Sequence, residues 1–325
     1  MKVACSSLQY EWIEDWAGST LTAAWAHHGL AITSGGLIVG FRADSQEMCF
    51  FADNGRLVNS WPAHLAGAHG ITVGDWIGEE RLWVADIGLI AKPDSAGSYR
   101  YETTGEGQVV CFDLHGKRLY QFPRPESPSY LSGNYMPTAV AVDTCHRKIW
   151  IADGYGTSLV HRFSFEGQLE LTLTGEEGAG RFSCPHAVFL DHRTARPRLY
   201  VTDRGNARLQ VYESDGTYLY AVAEGLRAPS ALAAIDDALI VADLHARLAV
   251  LDKADRLVGF IGADDDASSR EGWPNAVTAE GCTIRPNGLS PGLFNSPHGL
   301  AADSQGSLYV AEWIIGGRLI RLKAC

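Results

Sequence analysis

Short apolar stretches separated by turns recur along the whole chain, and they predict β-strands. Apolar and polar residues alternate within these stretches, and Asp-Gly or Glu-Gly pairs follow several of them, as at Glu166-Gly167 and Asp215-Gly216. Such pairs favour tight hairpins between antiparallel strands. The pattern therefore predicts an all-β protein built from many short antiparallel strands.

A longer phrase repeats six times and predicts the architecture. Each copy opens with His, Thr or Ser and a small residue, continues as an apolar alternation, and is followed by a turn and a second strand. The copies begin at His28, His69, Thr138, His186, Ser230 and His298, and their second strands cover 37–41, 82–86, 149–153, 199–203, 239–243 and 308–312. Three or four strands per unit, repeated six times, predict a six-bladed β-propeller.

The six units are expected to form a single domain over residues 1–325. The last copy has no outer strand after 319–322, whereas residues 8–16 lie outside the repeats. We therefore predict that the N-terminal strand pairs into the last blade and closes the ring. Long intervals after the second and fifth copies predict insertions near 90–107 and 264–292. Such loops serve as lids over a site or as tolerated surface.

Composition narrows the class of partner. The chain carries a net charge of −11 and has a hydrophobic fraction of 46%. Nucleic acids and anionic membranes are bound through clustered Lys and Arg, so neither is an expected partner. A small molecule or short peptide fits the composition better, and we expect a monomer.

The N-terminus and the cysteines predict a cytoplasmic protein. The first residues contain no apolar core of a signal peptide, and no uncharged apolar run reaches the ~18 residues of a membrane helix. The 7 cysteines are scattered and form no C-x-x-C pair. This spacing favours reduced thiols over a disulfide framework.

Histidine opens the second, fourth and sixth copies, as His69, His186 and His298, and the third and fifth copies carry Thr138 and Ser230 there. Alternate blades of a sixfold ring are related by a threefold axis, so these imidazoles are expected to converge. Three imidazoles with one open position form a catalytic zinc site. One histidine alone in this phrase is usually a packing or turn residue, and His28, which breaks the alternation, is interpreted as structural or supporting.

The second strands supply further candidates. Aligned by their apolar pattern, Arg42 of the first copy matches Arg204 of the fourth, and Tyr155 of the third matches His245 of the fifth. Two facing guanidiniums predict a clamp for a carboxylate, which the planar fork binds bidentately. A phenol beside a metal and two cations is expected to have a lowered pKa, which suits a general base. His245 is expected to line the substrate cavity.

Each of these residues also has an ordinary structural interpretation. Arg204 belongs to a turn that is frequent in structural propeller repeats, and Tyr155 alone could be a stacking residue.

With these residues assembled, the chain resembles the NHL-repeat propellers and, within them, the lyase domain of the peptidylglycine α-amidating enzymes. The phrases that carry the resemblance are Asp-Gly-Tyr-Gly-Thr-Ser at 153–158, Gly-Arg-Phe-Ser-Cys-Pro-His at 180–186, Asp-Arg-Gly-Asn-Ala-Arg-Leu-Gln at 203–210 and Phe-Asn-Ser-Pro-His at 294–298. Similarity runs from about 29 to 322 and is densest between 135 and 212.

The resemblance implies a role for each candidate. His69, His186 and His298 look like ligands of Zn²⁺, or of another divalent transition metal, and Tyr155 looks like the catalytic base. Arg42 and Arg204 look like the residues that hold the substrate carboxylate. The implied reaction cleaves the C–N bond of an N-acyl-α-hydroxyglycine-like carbinolamide to an amide and glyoxylate.

Departures from the family pattern qualify this inference. Secreted members carry cysteines where this chain has Gly156, Tyr200 and Val211, which agrees with an intracellular protein. The family's structural calcium uses an Asp where Gly299 stands, so Ca²⁺ is not expected at the axis. Two alternatives stay open. One is a zinc-dependent lyase, hydratase or hydrolase for another small α-hydroxy acid, and the other is a non-catalytic NHL-repeat module that binds a protein or peptide.

Overall fold

Each of the six repeats folds into one antiparallel sheet, and the sheets are arranged as the blades of a propeller, so the predicted fold class is confirmed. The computed structural model describes residues 1–18, 24–95 and 98–325. The first half of the strands comprises β1 Lys2–Cys5, β2 Leu8–Ile13, β3 Ala31–Ile32, β4 Ile38–Arg42, β5 Glu47–Phe51, β6 Leu57–Pro62, β7 Ala68–Trp76, β8 Glu79–Asp86, β9 Leu89–Pro93, β10 Tyr99–Thr103, β11 Gln108–Phe112, β12 Arg118–Phe122, β13 Ala139–Asp143 and β14 Lys148–Asp153.

The remaining strands are β15 Leu159–Ser164, β16 Leu169–Leu173, β17 Pro185–Asp191, β18 Arg198–Asp203, β19 Arg208–Glu213, β20 Tyr218–Val222, β21 Pro229–Ile235, β22 Ala238–Asp243, β23 Arg247–Leu251, β24 Leu257–Ile261, β25 Ala276–Val277, β26 Thr283–Ile284, β27 Pro297–Ala302, β28 Leu308–Glu312 and β29 Leu319–Ala324. Blades 1 to 5 have the strand orders β3-β4-β5-β6, β7-β8-β11-β12, β13-β14-β15-β16, β17-β18-β19-β20 and β21-β22-β23-β24. The helical elements among the described residues are single 3₁₀ turns at Pro128–Tyr130, Arg204–Asn206 and Ala267–Ser269.

Blade 6 contains both ends of the ring. Its order is β27-β28-β29-β2-β1, and β2 pairs antiparallel with β29 from Tyr10↔Ala324 to Ile13↔Arg321. Trp12 of β2 is buried and its ring lies 4.7 Å from that of Phe294. The predicted pairing of the N-terminal strand into the last blade is therefore present.

The hydrophobic core is divided among the blade interfaces. Each apolar cluster joins two neighbouring blades; one, for example, packs Trp83 of blade 2 against Ile151 and Phe163 of blade 3. The alternation that builds each strand thus places one set of apolar side chains against each neighbouring sheet. This packing fixes the radial position of every innermost strand.

The two insertions contain small hairpins. The first holds the β9–β10 pair, and the second holds the short β25–β26 pair. Both reach the same end of the ring: Tyr101 of β10 accepts a hydrogen bond from Trp313 at 2.9 Å, and the rings of Trp273 and Trp313 lie 6.3 Å apart.

An acid ends the second strand of five blades, and it holds the segment that leads into the innermost strand of its own blade. The carboxylate of Asp153 accepts the N–H of Met136 at 2.7 Å, and that of Asp243 accepts the N–H of Ala228 at 2.6 Å. Asp86, Asp203 and Glu312 make the same kind of contact. Blade 1 differs because β4 ends at Arg42.

Over the described ranges, no helix is long and apolar enough to cross a membrane. All of the cysteines are free thiols.

Candidate metal centre

Three imidazoles converge at one end of the propeller axis. His69, His186 and His298 occupy matching positions near the start of β7, β17 and β27, in alternate blades. Their ring centroids lie 4.6, 4.8 and 4.7 Å apart for the pairs 69–186, 186–298 and 69–298. The Nε2 atoms of His186 and His298 are 3.2 Å apart. The structure thus brings together the three histidines that the alternation singled out.

The blades between them orient the rings. Nδ1 of His69 lies 2.7 Å from the carbonyl oxygen of Thr138, and Nδ1 of His186 lies 2.7 Å from that of Ser230. For His298 the corresponding carbonyl is that of His28, but Nδ1 of His298 has no hydrogen bond of normal geometry among the described residues. The non-histidine copies therefore supply backbone acceptors for His69 and His186. The supporting role of His28 stays a prediction.

Burial favours the neutral form of the three rings. Burial lowers the pKa of His69 to about 3 and lowers the pKa values of His186 and His298 well below the ordinary 6.5. A neutral ring whose Nδ1–H is donated to a carbonyl presents a lone pair at Nε2, the form in which imidazole binds a metal. Converging lone pairs of this kind repel one another unless a cation lies among them. The donor set therefore fits a divalent transition metal.

Tyr155 lies against these imidazoles. It is the second residue after β14, and its hydroxyl oxygen is 3.3 Å from Nε2 of His69 and 3.2 Å from Nε2 of His186. Burial raises the pKa of Tyr155, and the charge of Arg204 opposes this. The expected lowering of this pKa is therefore not found, because burial outweighs the cation among the protein's own groups. A bound metal would act in the opposite direction.

Arg204 contacts Tyr155 from the 3₁₀ turn that follows β18. Its Nη1 lies 3.4 Å from the phenol oxygen, its guanidinium carbon lies 5.2 Å from the ring centroid, and its Nη2 donates to Sγ of Cys184 at 3.2 Å. No ion pair joins Arg204 to an acid within the described part of the chain. A guanidinium in this position is available to an anionic ligand.

Arg42 does not occupy the position that corresponds to Arg204. Arg42 pairs in register with Glu47, as Asp203 pairs with Arg208, and the turns that join the paired residues have the same length in both blades. Arg42 therefore matches Asp203, and the sequence alignment was shifted by one residue. Nη1 of Arg42 forms an ion pair with Glu47 at 2.8 Å, and the corresponding pair in blade 4 joins Asp203 to Arg208 at 2.7 Å. The cation and the acid have therefore exchanged places between the two strands.

A cavity of about 380 Å³ opens beside the phenol. His245, the second residue after β22, lines this cavity and lies 5.3 Å from the ring of Trp273. Its match with Tyr155 is correct, since both follow a strand-ending Asp by two residues. The rest of the lining consists of His27, Tyr155, Arg204, Gly205, Arg227, Ala228, Leu244 and Trp313. The wall is thus aromatic and cationic, and Arg42 is not part of it.

His27 is the functional candidate that the sequence analysis missed. Its Nε2 lies 3.1 Å from the Tyr155 hydroxyl oxygen, and ligand atoms of His27, His69 and His298 all lie within 4.8 Å of one another. His27 precedes the first repeat copy, so the repeat did not point to it. The available signal was Arg42, which stands where the other blades carry an acid.

Comparisons with known proteins agree with this description of the fold. No protein-family model matches the chain. Mouse NHL repeat-containing protein 3 is 32% identical over 232 residues, which are 67% of this chain and 62% of the mouse protein. Rat peptidylglycine alpha-amidating monooxygenase is 31% identical over 131 residues, which are 38% of this chain and 13% of the rat protein. This chain therefore spans less than two thirds of each relative.

A solved structure of a streptogramin B lyase superimposes with a TM-score of 0.56 at 11% identity, over 97% of this chain and 98% of that one. At this identity the likeness shows the propeller fold alone. Together with the two relatives, it supports an NHL-type β-propeller. The histidine group able to bind a metal is a feature of this chain's own structure.

Proposed function

We propose that the protein is a metal-dependent lyase that cleaves the C–N bond of an N-acyl-α-hydroxyglycine-like carbinolamide. The products would be an amide and glyoxylate. The observation that carries the proposal is the position of Tyr155. Its hydroxyl oxygen lies within 3.4 Å of three atoms: Nε2 of His69, Nε2 of His186 and Nη1 of Arg204. The partial similarity to the amidating monooxygenases supports the same conclusion.

His69, His186 and His298 would hold the metal, with zinc as the ion that best suits three neutral imidazoles. When bound, it supplies a Lewis acid that stabilises negative charge on the substrate hydroxyl oxygen. The carbonyl oxygens of Thr138 and Ser230 keep the rings of His69 and His186 in the required orientation.

Tyr155 would accept the proton of the substrate hydroxyl. The oxygen then forms the aldehyde C=O of glyoxylate, the C–N bond breaks, and its electron pair stays on nitrogen. The proton held by Tyr155 completes the amide, so no further reactant is needed. A general base in hydrogen-bond reach typically contributes about 10²–10⁴ in rate.

Arg204 would hold the substrate carboxylate, because its guanidinium lies beside the phenol and has no acid as partner among the described residues. Arg42 does not line the cavity beside the phenol and is paired with Glu47, so it would serve as the second carboxylate-binding residue only if that pair opened toward the substrate. His245 would contact the acyl group from the opposite wall. The cavity suits a small molecule or the end of a short peptide, bound to a monomer.

Two other functions compete with this proposal. A zinc-dependent lyase, hydratase or hydrolase for another small α-hydroxy acid would use the same residues. A non-catalytic NHL-repeat module is favoured by the longer match to NHL repeat-containing protein 3, 67% of this chain against 38% for the amidating enzyme.

Metal analysis followed by a product assay tests the three functions. We expect one tightly bound zinc per chain, lost in a His186→Ala variant, and release of benzamide and glyoxylate from α-hydroxyhippurate. A folded protein that binds no metal from zinc-containing buffer would contradict both enzyme functions and favour the binding module. Bound zinc without glyoxylate release would favour a different α-hydroxy acid.

A further inference from the structure

Residues 24–27, which we call the strap, lead into blade 1 but are attached to blade 6. The N–H of Ala26 donates to the carbonyl of Ile314 at 3.0 Å, and the N–H of Gly316 donates to the carbonyl of Ala24 at 2.8 Å. The ring of Trp25 stacks on that of Trp313 with centroids 5.5 Å apart. The strap therefore crosses the end of the ring next to the imidazoles.

The side chain at the end of β4 differs from its counterparts in the other blades. In the other five blades a carboxylate accepts backbone N–H groups of the segment that enters the innermost strand, which ties this segment to its own blade. Arg42 has no acceptor atom and is bound to Glu47. Blade 1 therefore lacks the carboxylate that accepts these N–H groups in the other blades, and the strap is hydrogen-bonded to blade 6.

The strap places His27 among the metal-binding candidates. The His27 ring centroid lies 4.7 Å from that of His69 and 4.8 Å from that of His298, and the ligand atoms of these three residues lie within 4.8 Å of one another. His186 approaches the same point from the side of His69 and His298. Nδ1 of His27 lies 3.3 Å from the hydroxyl of Tyr101, which also accepts the Trp313 indole N–H at 2.9 Å. Tyr101 comes from the first insertion, so this insertion fixes the second nitrogen of the ring.

We propose that His27 is a fourth metal-binding imidazole, and that the hydroxyl oxygen of the substrate replaces it. The inference rests on the proposed metal centre and substrate class but not on the reaction. His69, His186 and His298 are at most 3% exposed and lie on blade strands, whereas His27 is half-buried and lies on the strap. His27 is therefore the imidazole that can leave with the smallest structural change.

This arrangement has a chemical consequence. A site with four protein ligands is closed, whereas a catalytic zinc site keeps one position open. With His27 bound, the metal would be protected from adventitious ligands. The position would open only to a ligand that competes with imidazole, such as an α-hydroxy acid held at the same time by Arg204.

X-ray absorption of the zinc-loaded protein tests the proposal, because scattering from the imidazole rings gives their number. We expect four imidazoles in the wild type and three with an added oxygen ligand in His27→Ala. His245→Ala, which removes another imidazole from the same cavity, should keep four. His27→Gln, which also removes the imidazole but keeps a larger side chain, should give the same number of imidazole ligands as His27→Ala. Circular dichroism of both variants shows whether a change in that number reflects misfolding.

Glycolate, which carries the hydroxyl and carboxylate of the substrate, tests the exchange. Saturating glycolate should reduce the wild-type count by one imidazole and leave the count of His27→Ala unchanged. The same count in wild type and His27→Ala, or four imidazoles in the wild type with glycolate bound, would overturn the inference and leave the lyase proposal standing. A folded wild type that binds no zinc would overturn both.

Discussion

The hydroxyl oxygen of Tyr155 lies 3.4 Å from Nη1 of Arg204, and this pair joins the imidazole centre to the open cavity. The phenol faces the histidines, and the guanidinium has no acid as partner within the described residues. Proton transfer and anion binding can therefore take place side by side.

Arg204→Leu should remove activity without destabilising the fold. Loss of a charge partner for the substrate carboxylate costs about 2–5 kcal/mol, so kcat/KM on α-hydroxyhippurate should fall at least about thirtyfold. The free energy of unfolding should stay level or rise, since no acid loses a partner. Arg208→Leu is the matched control.

In Arg208→Leu, Asp203 loses a guanidinium 2.7 Å away, and the unfolding free energy should fall by about 2–5 kcal/mol. Chemical denaturation of both variants provides the comparison. Equal destabilisation of the two would mean that Arg204 is a structural residue.

The Tyr155→Phe variant should retain the bound metal and have a much lower kcat. Removal of the phenol proton acceptor should lower kcat by about 10²–10⁴, while the His69 and His186 rings remain held by the carbonyls of Thr138 and Ser230. Zinc content by mass spectrometry and glyoxylate release are the two measurements. Wild-type kcat in this variant would exclude Tyr155 as the base.

His161 should make stability depend on pH. Burial lowers its pKa from 6.5 to about 4, and its Nε2 lies 2.7 Å from the hydroxyl of Tyr130, which donates to Asp153. Between these two pKa values only the unfolded chain binds the proton, so stability falls as pH decreases from about 6.5 to 4. The loss reaches about 1.4 kcal/mol per pH unit for this group.

His161→Gln should therefore reduce the slope of unfolding free energy against pH over that window, measured by urea titration at several pH values. The exposed His192→Gln controls for loss of an imidazole elsewhere. An unchanged slope in His161→Gln would contradict the assignment.

Trp12→Ala should weaken closure of the ring. Trp12 is 4% exposed, packs against Phe294, and lies under the guanidinium of Arg318 at 5.6 Å. A truncation of this size costs about 3–5 kcal/mol. Glu11→Ala, at an exposed position of the same strand, should change stability by less than about 0.5 kcal/mol. Equal effects of the two variants in thermal unfolding would argue against a closing role for β2.

The repeat made the fold predictable, because six copies of one strand pattern leave few other architectures. It also gave the histidine triad, since equivalent positions of alternate blades must converge. The match of Arg42 to Arg204 failed for a physical reason: the apolar residues on either side of Gly40 fit the pattern equally well after a shift of one residue. Only the pairing with Glu47 fixes the register.

His27 could not be predicted by the same route. Its position depends on contacts of the strap with blade 6 and of its ring with Tyr101, which are distant in sequence. A repeat pattern describes what the blades share, whereas this residue is placed by contacts that only the strap and the first insertion make.

The shared blade 6 also has a consequence for biosynthesis. Its strand β29 is the last strand in sequence order, and β29 pairs with β2, one of the first. His298 and the anchor of His27 both belong to this blade. A nascent chain therefore cannot assemble the imidazoles until translation has passed β29, so metal uptake would follow synthesis of the ring and not accompany it.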